Sequence, residues 1–118
     1  MVDRRAKLFW DILNCGTAIQ SFLRDQTIED YRNNLMLRSA VERQFEIIGE
    51  ALRRLELLDA PLLYRISDAR RIIDFRNAIS HGYDGVDDAI VWQVISEKLP
   101  VLMTEVRALL AEVAPPSS

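Results

Sequence analysis

Helical periodicity constrains this chain more than any other feature. Apolar residues recur at Leu8, Ile12, Cys15, Ile19 and Phe22, in steps of four and three, the spacing of one face of an amphipathic helix. A second stripe, Leu37, Val41, Phe45, Ile48, Leu52 and Leu55, predicts a helix from about Leu35 to Leu58. On its other side Glu42 and Glu46 are like charges four apart, whereas Glu50 and Arg54 form a favourable pair. Asp59-Ala60-Pro61 stops this helix, because proline lacks the donor and crowds the preceding turn. Between the two stripes, Thr27 with Asp30 loosely imitates a capping box for a short helical turn.

Beyond Leu62 to Ile66, Ser67 suits the N-cap of a third main helix, with Asp68 in its first turn. That helix carries Ile72, Ile73, Phe75 and Ile79 and should end at His81, since Gly82 favours a helix C-terminus. Tyr83-Asp84-Gly85 reads as a turn. The last helix runs from Val86 to Glu112 with Trp92, Ile95, Leu99, Leu102, Val106 and Leu109 in phase; Pro100 should kink it rather than end it. The expected fold is all-α: an up-and-down four-helix bundle with one additional short helix. Residues 1–113 are expected to form a single domain and 114–118 a flexible tail. At 118 residues the chain buries only about two thirds of its unfolded surface, which makes a dimer attractive.

The single cysteine, Cys15, leaves no internal disulfide and no Cys-rich zinc site. The single histidine, His81, leaves no multi-histidine metal site within one chain, and no cofactor or metal is expected. No signal-type stretch opens the sequence and no apolar run approaches a membrane span, so the expected compartment is the cytoplasm and no membrane partner is foreseen. Cys15 falls on the apolar stripe and reads as core; Trp10 and Trp92 read as core or interface anchors. A net charge of −3 counts against broad, sequence-independent nucleic-acid binding.

The chemistry-bearing residues concentrate in Arg70-Arg71-Ile72-Ile73-Asp74-Phe75-Arg76-Asn77-Ala78-Ile79-Ser80-His81-Gly82-Tyr83. Asn77 and His81, four apart, share a helix face; Arg76 and Ser80 share the neighbouring one. A histidine at a helix C-terminus has its imidazolium favoured by the dipole, which moves its titration toward working pH. Arg76 offers a permanent fork of donors for a phosphate, and Asn77 could orient His81 or bind the phosphate. An acid/base imidazole beside a guanidinium suffices for RNA cleavage without a metal: the 2′-OH attacks the adjacent phosphorus, the 5′-oxygen leaves, and a cyclic phosphate results. A two-fold dimer would bring two copies of His81 and Arg76 to one cleft. Ordinary roles compete with each assignment. His81 could be a cap or a surface residue, Arg76 an ion-pair partner of Asp74 or Asp68, Ser80 a backbone hydrogen-bonder and Tyr83 a half-buried tyrosine in the turn. The pairs Arg4-Arg5 and Arg53-Arg54 read as solvated faces; Arg70-Arg71 could draw in a polyanion.

Arg76-Asn77-Ala78-Ile79-Ser80-His81-Gly82-Tyr83 matches the R-x-x-x-x-H-x-Y signature of HepT-type toxins of the HEPN superfamily. The stretch from Val41 to Ala51, including Gly49-Glu50, resembles the family's second-helix segment. Tyr83-Asp84-Gly85-Val86-Asp87, Ile90-Val91-Trp92 and Leu99-Pro100 resemble the segment that follows the signature. The resemblance implies an α-helical homodimer with both signature segments lining one cleft. It also implies a metal-independent endoribonuclease toxin of a toxin–antitoxin system. Arg76 and His81 would be the catalytic pair, Asn77 a supporting residue, and Tyr83 the site adenylylated by a cognate minimal nucleotidyltransferase antitoxin (MntA-type). The alternative is a non-catalytic helical subunit that binds a nucleotide or the nucleotidyltransferase, which the acidic balance favours.

Overall fold

The computed structural model describes residues 3–80 and 87–114. Among them every regular element is helical. α1 (Arg4–Phe22), α3 (Leu35–Leu58), α5 (Ala69–Ser80) and α7 (Leu99–Val113) are the long elements; α2 (Ile28–Arg32), α4 (Ala60–Leu63) and α6 (Asp88–Gln93) are short. α1 packs against α3 and α7, and α3 also packs against α5. The expected helix from Leu35 to Leu58 forms over that span.

Local chemistry sets the boundaries. Asp3 caps α1 by accepting the Arg5 N–H at 2.8 Å. Asp25 has φ +62°, a left-handed conformation that Asp tolerates better than most residues and that follows the end of α1. Thr27 and Asp30 complete the capping box, at 3.1 and 2.9 Å. Asp59 ends α3 and starts α4, where its side chain accepts the Leu62 N–H at 3.3 Å; it also pairs with Arg5 at 3.0 Å. That pair ties the start of α1 to the end of α3.

Three expectations are corrected. Ser67 does not cap α5 with its side chain: its hydroxyl donates to Glu105 on α7 at 2.7 Å, and α5 begins at Ala69. Asp68 lies just before the helix rather than in its first turn, and its carbonyl accepts the Ile72 N–H at 3.0 Å. The last helix is not one α-helix kinked at Pro100. A π-helical turn, Val94–Lys98, separates α6 from α7, and the Leu99 N–H reaches back to the Val94 carbonyl. The wider turn lies just ahead of Pro100, which cannot donate. It absorbs part of a rotation, so Val91 and Leu99 both face the core while Trp92 and Ile95 are only half-buried.

The stripe on α1 also shifts. Phe9 is fully buried, Leu8 half-buried and Phe22 exposed, because α1 is pressed by α3 and α7 together and its Leu8 side opens on a cleft. Cys15 is core, as expected, and burial pushes its thiol pKa up. Trp10 is 55% exposed, which removes it from the core. Trp92 packs against Tyr31, ring centroids 5.9 Å apart. Tyr31, to which the periodicity gave no role, is completely buried.

Candidate active site

The described part of the signature is carried by α5, whose register on α3 is fixed at two adjacent points. Phe75 meets Phe45 edge-on, with centroids 5.3 Å apart and planes at 84°. One residue on, Arg76 lies directly over Gly49. A methyl group on Gly49 would overlap Cβ of Arg76 and come within 2.6 Å of its Cγ. Glycine is costly in a helix interior; here it admits the stem of the arginine between the two helices.

Arg76 is therefore held close to α3 rather than spread over the surface. Its Nη2 lies 3.3 Å from Glu50 Oε2, and its Nη1 donates to Asn77 Oδ1 at 3.1 Å. Both Arg76 and Glu50 side chains are about 30% exposed, at 29% and 30%. Nε is buried and has no partner among the described residues. A guanidinium carries five N–H donors, so each terminal nitrogen keeps a second N–H for an incoming oxyanion. The expected partners of Arg76 were Asp74 or Asp68. Asp74 is exposed on α5, and Asp68 faces Lys98 at 3.7 Å, so both assignments give way to Glu50. Asn77 accepts from Arg76 through its Oδ1; its expected role in orienting His81 involves a residue outside the described ones.

Glu50 is shared. Arg54 Nε donates to it at 3.2 Å, the i,i+4 pair expected from the sequence, and Arg53 approaches at 4.0 Å. Glu50 and Arg54 border a cleft of about 280 Å³ between α1 and α3, which Arg76 also lines. Its charged lining alternates in sign: Arg43, Arg54 and Arg76 against Asp11, Glu46 and Glu50. Arg43 pairs with Glu46 at 3.5 Å. Arg76 is thus a fixed, partly buried cation with spare donors, lining a cleft in which each cation has a neighbouring carboxylate. Arg70, expected to draw in a polyanion, is engaged by Glu56; Arg71 is exposed.

Catalytic candidate His81 and modification candidate Tyr83 lie outside the described residues, as does the side chain of Ser80. Among the described residues no group of three His, Cys, Asp or Glu side chains is placed to hold a metal, and no described helix is long and apolar enough to cross a membrane. Gly49 and Glu50 had no site role in the sequence reading, although they lay within the stretch matched to the family. The usable signal was a glycine inside an otherwise strong amphipathic helix, followed directly by a carboxylate on its polar side.

The description "Ribonuclease HepT-like" matches residues 12–109. A candidate RNase of Methanocaldococcus jannaschii is 33% identical over 107 residues, covering 90% of this chain and 97% of that protein. Another candidate RNase of the same organism is 29% identical over 113 residues, covering 95% and 97%. A candidate ribonuclease HepT of Thermococcus cleftensis is 32% identical over 92 residues, covering 78% and 83%. No solved structure matches significantly. With the family description spanning most of the chain and relatives of about one-third identity covering most of both chains, the chain belongs to the HepT-like ribonuclease family.

Proposed function

We propose that this protein is a metal-independent endoribonuclease toxin that uses Arg76 and His81. The observation that carries the reading is the seating of Arg76: its stem fits over Gly49 and its head is held by Glu50 and Asn77. A cation fixed before substrate arrives costs no reorganisation when charge develops on the phosphate. In this reading the 2′-OH of RNA attacks the adjacent phosphorus and the P–O5′ bond breaks. One end then carries a 2′,3′-cyclic phosphate and the other a 5′-OH. Imidazole at His81 moves the proton, and Arg76 stabilises the equatorial oxygens with the N–H groups left free by Glu50 and Asn77. Asn77 supports the site by orienting Arg76.

The single histidine per chain supports a homodimer in which two His81 side chains supply the base and the acid. The protomer of this dimer is an up-and-down four-helix bundle, one domain over 1–113, and the exposed Trp10 is an available interface anchor. The cognate partner is a minimal nucleotidyltransferase antitoxin. It would transfer AMP from ATP to the Tyr83 hydroxyl, with pyrophosphate leaving. Two positions from His81, that adenylate would add bulk and negative charge where an RNA backbone must enter. The setting is the cytoplasm.

The test is to incubate the purified protein with a defined oligoribonucleotide in EDTA and analyse the ends. Cyclic phosphate and 5′-OH products are expected. After treatment with ATP and the nucleotidyltransferase, the intact mass should rise by AMP units at Tyr83, and cleavage should stop. Products bearing 5′-phosphate, or cleavage only with added divalent metal, would contradict the proposed chemistry.

A further inference from the structure

A second groove adjoins the Arg76 cleft, and its chemistry differs. It has a volume of about 550 Å³ and is lined by Arg4, Lys7 and Leu8 of α1 and by Arg54, Leu57 and Leu58 of α3. The first cleft balances three cations with three carboxylates; this lining holds three cations and no carboxylate. Leu57 is 76% exposed and Leu58 38%, an apolar floor left open to solvent. Both grooves share Leu8 and Arg54, so they form one furrow along α1 and α3.

Ion pairs orient the furrow. Lys7 is 2.6 Å from Asp11, and Arg54 is 3.2 Å from Glu50; both carboxylates line the Arg76 cleft and not the second groove. Arg4 is exposed. The Arg5–Asp59 pair at 3.0 Å holds the start of α1 against the end of α3 and keeps the groove's two walls together. From Glu50 to Leu58 the helix advances about 12 Å, a length that accommodates a strand segment rather than one phosphate.

We propose that this groove binds the single-stranded RNA flanking the scissile phosphate, a role that rests on the ribonuclease reading above. Arg4, Lys7 and Arg54 hold backbone phosphates, and Leu8, Leu57 and Leu58 receive the apolar faces of bases. Charge complementarity selects the occupant: the lining itself carries three cations and no carboxylate, the Asp11 and Glu50 partners of Lys7 and Arg54 standing in the adjoining cleft, which suits a polyanion, and the groove leads directly to Arg76. This gives an acidic protein a local basic track, so its net charge of −3 does not oppose RNA binding at that place.

The test compares wild type, the double variant Arg4→Gln/Lys7→Gln, and a charge control, Arg107→Gln, on the exposed side of α7. Binding is measured by fluorescence anisotropy with a 2′-O-methyl oligonucleotide, which lacks the attacking hydroxyl, across a salt series. The double variant should bind about 10-fold more weakly, and its slope of log K against log salt should be shallower by about 1.4, as two lost contacts to a single strand predict. The control should match wild type. Cleavage of a dinucleoside monophosphate, too short to occupy the groove, should be the same in all three. Unchanged affinity and slope in the double variant would overturn the proposal. So would dissociation of a wild-type dimer to monomer in that variant with RNA affinity preserved, since the groove would then be covered by a second copy. If wild type cleaves neither substrate, the ribonuclease reading fails by itself, and the anisotropy series still decides whether the groove binds RNA.

Discussion

Glu50 on α3 and Arg76 on α5 face each other across a crossing made possible by Gly49, with Arg76 Nη2 3.3 Å from Glu50 Oε2. The ion pair is the polar half of a contact whose apolar half is Phe45 against Phe75. Together they fix both the position of α5 along α3 and the direction of the guanidinium. Two of the three residues that orient Arg76, Gly49 and Glu50, come from a different helix.

Gly49→Ala should therefore damage stability and function together. The added methyl meets Arg76 Cβ and Cγ, and overpacking of this kind costs about 1–3 kcal/mol. The better helix propensity of alanine returns about 1 kcal/mol. Denaturant titration should show a net loss, and kcat/KM on RNA should fall further than the folded fraction explains. A variant as stable and as active as wild type would show that α5 can lift from α3 without consequence.

Glu50→Gln keeps the size of the side chain and removes the charge that holds Arg76, Arg54 and Arg53. The guanidinium is then less well placed, and misplacement on the ångström scale costs up to about 100-fold in rate. Steady-state kinetics should show kcat reduced while KM is unchanged or lower, because the freed cations attract the substrate. A raised KM with unchanged kcat would assign Glu50 to substrate binding instead.

Tyr31 is fully buried, and its hydroxyl has no hydrogen-bond partner among the described residues. Desolvation, followed by the nearby Glu42 and Asp88 carboxylates, drives its pKa well up, so the phenol is neutral at any working pH. Removing an unsatisfied buried hydroxyl relieves a penalty of about 1 kcal/mol or more. Tyr31→Phe should raise the thermal midpoint. A clear drop would reveal a partner for the hydroxyl.

Glu42 gives the pH dependence of this corner. Burial first, then the neighbouring Asp88, raises its pKa above the ordinary carboxylate value of 4.5. Above that value and up to the raised one, the folded state holds more protons than the unfolded state, so stability falls as pH rises through this window. Glu42→Gln should be more stable than wild type at pH 7, and the gap should close below about pH 4. A gap that persists unchanged at low pH would assign the effect to packing rather than to charge.

Periodicity made the helices legible, because each long element has one apolar face; the Leu35–Leu58 helix and the buried Cys15 follow directly. Features that depend on contacts between elements were not legible. Ser67 has the composition of a cap, but a carboxylate on α7, Glu105, takes its hydroxyl. Pro100 signals a disturbed helix, whereas the π-helical turn, Val94–Lys98, arises where Val91 and Leu99 must both face the core. In the site, the signature pointed to Arg76 and Asn77. Glu50, rather than Asp74 or Asp68, could be identified as the partner of Arg76 only once α5 lay on α3.

The central claim is that Arg76 and His81 carry RNA cleavage. It is tested most directly by single-turnover cleavage of one oligoribonucleotide in EDTA by wild type, Arg76→Ala and His81→Ala, with folding checked by circular dichroism. Wild type should cleave, and each variant should lose at least about 100-fold in rate while remaining folded. A His81→Ala protein that cleaves at the wild-type rate would contradict the account.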